Sequence, residues 1–202
     1  MSIKLFTIIL SGALGSTLLM FSMAGFAVDA AQVPQQKQTK PGLYLNAREA
    51  YALKQQLGEK ALFVDLRTRS EIIYVGMPTL VDAQVPLLEY PPNAPWDEKL
   101  GRFKIEFNLD FENEIARRMT AHHLNKNDTL ILMCRSGDRS APAVNLLTGQ
   151  GYTKVYSVVD GFEGDLAKEG PQTGQRVING WKNSGLPWTY KLEKDKLYFP
   201  AN

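Results

Sequence analysis

Thr129-Leu-Ile-Leu-Met133 runs directly into Cys134-Arg-Ser-Gly-Asp-Arg-Ser140. The apolar run is short and shows no polar alternation, the pattern of a strand covered on both faces. Ala143, Leu146 and Leu147 then repeat at helical spacing, and the helix should end around Gly149 to Gly151. The single cysteine of the chain therefore stands between the carboxyl end of a strand and the amino end of a helix. Parallel α/β sheets form their sites at that place.

Working outward, the same alternation continues. Ala61-Leu62-Phe63-Val64, ending at Asp65-Leu66-Arg67, reads as a second buried strand, and Val155 to Val159, closed by Asp160-Gly161, as a third. Asn46-Ala47-Arg48-Glu49 predicts a helix start, with Asn46 as N-cap and Glu49 reaching back from N3. Ala50, Leu53 and Leu57 carry that helix to a C-terminal cap at Gly58. Phe111, Ile115 and Met119 lie four apart and predict an amphipathic helix over 110–120. Pro78 to Pro95 is proline-rich and should be extended or looped. Alternating strands and helices imply a single α/β domain, a largely parallel central sheet flanked by helices, over residues 43–190.

Composition excludes several classes. The chain is 44% hydrophobic and 22% charged, as in an ordinary globular protein. A net charge of +2 with no long Lys/Arg run argues against a nucleic-acid partner. At the N-terminus, Lys4 precedes Leu5 to Val28, 24 residues without a charge. Small residues at Ser22-Met23-Ala24, Gly25-Phe26-Ala27 and Val28-Asp29-Ala30 suit a signal peptidase. Residues 1–30 therefore read as a secretory signal and the mature protein as periplasmic or secreted. The alternative is an uncleaved anchor that holds the domain on the membrane, facing the periplasm. Residues 31–42 are polar and contain Pro34, hence a flexible linker, and 191–202 open with a mixed charge run, hence a solvated tail.

One cysteine allows no internal disulfide, and a lone thiol outside the cytoplasm is a liability unless it is buried or used. The plain alternative is a small core residue. The neighbours of Cys134 argue for use. A tight loop before a helix can turn several backbone N–H groups inward, and the helix N-terminus adds partial positive charge. Arg135 and Arg139 add full charges. All of these favour a thiolate and attract an anion. Gly137 permits the close turn, and Ser140 could cap the helix. Arg139 has an equal claim as the partner of Asp138 or another carboxylate. Asp65 and Arg67 read as a structural ion pair near the sheet edge. His122-His123, with no Cys or carboxylate at ligand spacing, reads as solvated surface, so no metal is expected. Trp181 and Trp188 read as core or lid aromatics.

Cys134 to Ser140 resembles the active-site loop of rhodanese-like sulfurtransferases. Asp65-Leu66-Arg67 with Glu71 resembles the family's Asp-x-Arg-x-x-x-Glu segment, and Ala83-Gln84-Val85-Pro86 the segment after it. Asn108-Leu109-Asp110-Phe111 is similar to the Asn-Pro-Asp-Phe helix start of bacterial members. Gly151-Tyr152, Val155-Tyr156, Gly161-Phe162-Glu163-Gly164, Gly180-Trp181 and Gly185-Leu186-Pro187-Trp188 resemble the closing part of the domain. Two departures stand out. Gly76-Met77-Pro78 replaces a Gly-His-Ile frequent in the family, which puts local structure in question. Leu87 to Arg102 is longer than in a minimal domain, as a plain insertion or a wall of the site's mouth.

The resemblance implies a rhodanese-like fold and a double displacement through a persulfide on Cys134. Residues Arg135, Ser136, Gly137, Asp138, Arg139 and Ser140 would hold the substrate, with Asp65 and Arg67 structural beside them. Partners would be a small anionic sulfur donor such as thiosulfate and, as acceptor, a thiol, cyanide or a protein. No cofactor is implied. Two alternatives stay open. One is a persulfide carrier or binding module on the same scaffold. The other is a phosphatase or arsenate reductase of related fold, whose loops place five residues between Cys and Arg where this chain has four.

Overall fold

The computed structural model describes residues 28–200. The proposed signal segment lies almost wholly outside the described residues. Among the described residues no helix is long and apolar enough to cross a membrane.

Five strands make one parallel sheet: β1 (Tyr44–Leu45), β2 (Ala61–Asp65), β3 (Ala83–Gln84), β4 (Thr129–Met133) and β5 (Lys154–Val158), in the order β1-β5-β4-β2-β3. Among the described residues the four α-helices are α1 (Ala47–Leu57), α2 (Arg69–Val75), α3 (Phe111–Ala121) and α4 (Ser140–Gly149). The apolar runs are continuous because each strand feeds two cores in alternation. Leu62, Val64, Leu130 and Leu132 face Phe111, Ile115 and Met119 of α3 and Ala143, Val144 and Leu147 of α4. Phe63, Ile131 and Met133 face the other way, toward Ala50 and Leu53 of α1, Ile72 of α2 and the fully buried Trp181.

Helix starts are set locally. Asn46 and Glu49 form the expected capping box, and Thr68 and Glu71 form a second one at the start of α2. Such caps contribute about 1 kcal/mol each. Gly76 ends α2 with φ 89°, and Met77–Pro78 pairs antiparallel with Trp188–Thr189. The Gly-Met-Pro departure is thus accommodated in a short ribbon.

Two expectations are corrected. Residues 31–42 are not a free linker: Val33 and Lys37 are buried, and two short 3-10 turns cover 30–32 and 35–37. The Lys37 ammonium donates to the Val159 carbonyl at 3.0 Å and to Asp165 at 2.8 Å. The tail is also strapped down. Tyr198 is buried and donates its hydroxyl to Asn108, while Arg118 donates to the carbonyls of Asp195 and Leu197. The polar composition of both segments reflects partners supplied by the domain surface.

Candidate active site

β2 and β4 are neighbours in register, Asp65 beside Met133, so their carboxyl ends deliver two loops to one place. The β4 loop carries Cys134, only 1% exposed. The amide of Gly137 donates to Cys134 Sγ at 3.2 Å. Gly137 adopts φ 91°, and a Cβ there would strike the Val159 carbonyl, so this turn requires glycine.

The segment after β5 braces the loop from behind. Phe162 N–H donates to the Cys134 carbonyl at 2.8 Å, and Glu163 N–H to the Arg135 carbonyl at 2.9 Å. Gly161, at φ 63°, lies so close that a Cβ would come within 2.5–2.6 Å of the backbone of Cys134, Arg135 and Ser136. Asp160 secures this brace by accepting from Gly180 N–H at 3.0 Å. Burial pushes the Asp160 carboxyl up to about 6, against the pull of its backbone hydrogen bonds.

Asp65 and Arg67 form the expected ion pair, fully buried, with Nη2 2.6 Å from Oδ2. Arg67 also donates to the Gly76 carbonyl at 2.8 Å, and its guanidinium lies 3.9 Å from the centre of the Phe162 ring. The pair therefore sits behind the site, tying α2 to the brace, and does not line the cavity.

Arg139 takes the carboxylate option, but with Glu71. The two form a bidentate pair at 2.7 and 2.5 Å, and Glu71 also accepts the Thr68 amide at 2.9 Å. Burial would raise the Glu71 carboxyl. The hydrogen bonds and charge of Arg139, the Thr68 amide and the charge of Arg67 overcome this and hold it at about 2. Burial likewise opposes the charge of Arg139. The hydrogen bonds and charge of Glu71, with smaller contributions from Cys134 and Asp65, more than offset it and raise the guanidinium further. Asp138 accepts instead from the Ser136 hydroxyl at 3.0 Å.

Above Cys134 lies a cavity of about 300 Å³. Arg135, Ser136, Asp138 and Arg139 form one wall, Thr68 and Glu71 a second, and Leu88, Tyr90, Arg102 and Ile105 a third. Of the loop residues singled out in the sequence, Cys134, Arg135, Ser136, Asp138 and Arg139 line the cavity, Gly137 meets the sulfur through its amide, and Ser140 lies outside. Ser140 is the first residue of α4 and not its cap: Arg139 holds that position, and the buried Ser140 hydroxyl has no hydrogen-bond partner among the described residues.

Several residues of this site escape the sequence reading. Glu71 is visible there only as part of a motif. The spacing Thr68-x-x-Glu71 is a capping-box signal that would have placed it at the start of α2. Tyr90, Arg102 and Ile105 come from the long Leu87–Arg102 region and its return, which forms a wall of the mouth. Nothing local in the sequence marks them.

The rhodanese-like domain model matches residues 49–168, more than half of the chain. The chain belongs to the rhodanese-like domain family. Relatives of this rhodanese-like protein include the uncharacterized protein RP600 of Rickettsia prowazekii. It is 30% identical over 135 residues, covering 66% of this chain and 87% of that one. The chloroplastic protein THYLAKOID RHODANESE-LIKE of Oryza sativa subsp. indica is 28% identical over 152 residues, 75% of this chain but 26% of its own length. The crystal structure of Rv0390 from M. tuberculosis matches with a TM-score of 0.55 at 29% identity, covering 73% of this chain and 97% of that one. The fold is thus the rhodanese-like one, in a single domain. Family membership supports sulfurtransferase-type activity in general.

Proposed function

We propose that the protein is a sulfurtransferase that moves sulfane sulfur from thiosulfate or a similar anionic donor to a thiol or cyanide through a persulfide on Cys134. The observation that carries this reading is the Gly137 amide aimed at Cys134 Sγ from 3.2 Å, at the foot of a cavity walled by arginines.

In the first half-reaction the Cys134 thiolate attacks the outer sulfur of thiosulfate. The S–S bond of the donor breaks, sulfite leaves with the electron pair, and a new S–S bond forms on Cys134. In the second, cyanide or a thiolate attacks the terminal sulfur, and Cys134 leaves as thiolate. One bond to sulfur is exchanged for another in each step, so electrons balance without a further redox partner. The Gly137 N–H and the start of α4 stabilise negative charge at the sulfur throughout, as an oxyanion hole does for oxygen. Arg135, exposed on the cavity wall, attracts the sulfonate end of the donor. Arg139, already paired with Glu71, positions the loop more than it binds substrate.

Mass spectrometry of the protein after thiosulfate treatment tests the assignment. One added sulfur on Cys134 is expected, together with more than one thiocyanate released per protein when cyanide is supplied. Loading without turnover would indicate a carrier. Cys134→Ser should fold and transfer nothing, because a hydroxyl forms no persulfide; transfer by that variant would sink the mechanism.

We also infer that the protein acts outside the cytoplasm, on the strength of the charge-free N-terminal run and its small-residue sites. The mature chain should begin at residue 25, 28 or 31. Each start retains Lys37 and its contacts with Val159 and Asp165. A soluble, full-length cytoplasmic form in the native host would refute this address and leave the sulfur chemistry untouched.

A further inference from the structure

The third wall of the Cys134 cavity belongs to a nested hairpin. Leu88–Glu89 pairs with Glu106–Phe107, and Trp96–Asp97 pairs with Arg102–Phe103, with the Trp96 and Phe103 rings edge to face at 5.3 Å. Gly101, at φ 59°, makes the turn, and its N–H donates to the Asp97 carbonyl at 2.9 Å. Glu89 anchors the base of the hairpin by accepting the Arg69 amide at the start of α2. Arg102 is therefore held by hydrogen-bonded backbone where the hairpin lines the cavity.

The charges on the two sides differ in kind. Arg139 is neutralised by Glu71, and Asp138 accepts a hydroxyl. Arg102 and Arg135 make no ion pair and no side-chain hydrogen bond among the described residues. Two guanidiniums without an ion pair thus line one cavity, one from the hairpin and one from the cysteine loop, and outnumber the single carboxylate there without one, that of Asp138. Between them the hairpin supplies apolar surface from Leu88, Tyr90 and Ile105. The volume, about 300 Å³, is at the lower end of the range for pockets that take small organic molecules. It has room for about ten waters at liquid density. A lone thiosulfate, which is one sulfonate group and one sulfur, would leave much of it filled by solvent.

We propose that Arg102 recognises the anionic end of a donor longer than thiosulfate, an organic persulfide whose body lies on Leu88, Tyr90 and Ile105 and whose carboxylate meets Arg102. The inference rests on the sulfurtransferase reading and names the donor class for that site. Transfer follows the same balance. The Cys134 thiolate attacks the outer sulfur of R–S–S⁻, the S–S bond of the donor breaks, and R–S⁻ leaves to take a proton from water. Arg102 touches the remote end of the donor and no reacting atom, so its contribution is to affinity and orientation.

The test measures kcat/KM for persulfide loading of Cys134 with three donors: thiosulfate, the persulfide of 3-mercaptopropionate, and the persulfide of 2-mercaptoethanol. The last two share a reacting group and are of similar size, and differ chiefly in ending on a carboxylate or on a hydroxyl. The wild type should prefer the carboxylate-bearing persulfide over its neutral counterpart. In Arg102→Gln that preference should fall about tenfold, the scale of one charge-assisted hydrogen bond. Arg102→Lys should restore part of it. An unchanged preference in Arg102→Gln, or an equal loss on both organic donors, would overturn the inference while leaving the sulfurtransferase reading intact. Failure of all three donors to load the wild type would instead remove that reading, and this inference with it.

Discussion

Arg139, the N-cap of the helix that follows the cysteine loop, grips Glu71, the N3 residue of the helix that follows β2, through two parallel hydrogen bonds. One carboxylate thereby caps α2 and fixes the loop that carries the nucleophile. The pair is mostly withdrawn from solvent, with side chains 17% and 20% exposed. Removing one partner should be costly.

The acid limb of stability reports this pair. The folded-state pKa of Glu71, about 2, is depressed from the ordinary 4.5. Its stabilisation is therefore complete above pH ~4.5 and is lost as pH falls toward 2, a change of roughly 3 kcal/mol. Urea unfolding at pH 5 and pH 3 should show the wild type losing about half of that amount, roughly 2 kcal/mol. Glu71→Gln should start less stable and lose correspondingly less. Parallel losses in the two proteins would mean that the pair does not govern acid sensitivity.

Asp160 works with the opposite sign. Its folded-state pKa is raised to about 6, so the fold prefers the protonated form. Stability from this group is greatest below pH ~3.8 and declines as pH rises to 6, by roughly 3 kcal/mol. Asp160→Asn cannot ionise. The stability of the variant relative to wild type should therefore improve by about that amount between pH 4 and pH 7. A difference that stays flat with pH would show that the carboxyl is solvated after all.

Much of this arrangement is legible in the sequence because it depends on near neighbours. The apolar runs at 61–64, 129–133 and 155–159 mark strands, and the Asn46–Glu49 box marks the start of α1 within one residue. The strand–Cys–helix succession places Cys134 at the carboxyl end of a strand, where the structure has it directly after β4. What is not legible depends on distant partners. Lys37 is buried only because Val159 and Asp165 stand over it, more than 120 residues away in the chain. Tyr198 reaches Asn108 across 90 residues. Arg102 meets the cavity because a hairpin folds back over it, and polar composition alone cannot distinguish that from a solvent-exposed insertion. Ser140 fails as a cap because the turn closes one residue earlier, at Arg139.

The brace behind the loop predicts a third outcome. Gly161→Ala would place a methyl within 2.6 Å of the Cys134 carbonyl and the Ser136 nitrogen, at a φ of 63° that alanine tolerates poorly. The strain should destabilise the protein by about 1–3 kcal/mol. The loop is the part that must move, so sulfur transfer should fall at least tenfold even where the variant is fully folded. Thermal unfolding and single-turnover loading measured on the same sample would check this. Full activity in a folded Gly161→Ala would show that the brace does not position the nucleophile.

The two half-reactions separate the role of Arg135 from that of the loop it belongs to. Its backbone carbonyl is held by Glu163 and Gly164, whereas its side chain is exposed and faces the cavity. Arg135→Ala should therefore leave the loop backbone in place and remove one cation from the donor's path. Loading of Cys134 from thiosulfate should slow by about tenfold, since a charge-assisted contact to the anion is lost. Discharge of a preformed persulfide to a neutral thiol should slow much less, because that acceptor brings no anionic end group for Arg135 to hold. Added salt should shrink the loading difference by screening the long-range part of the attraction. Rapid mixing of thiosulfate with free enzyme, and of thiol with persulfidated enzyme, gives the two rates independently. Equal slowing of both would mean that Arg135 supports the loop, and the anion would then owe its attraction to the helix N-terminus and Arg102.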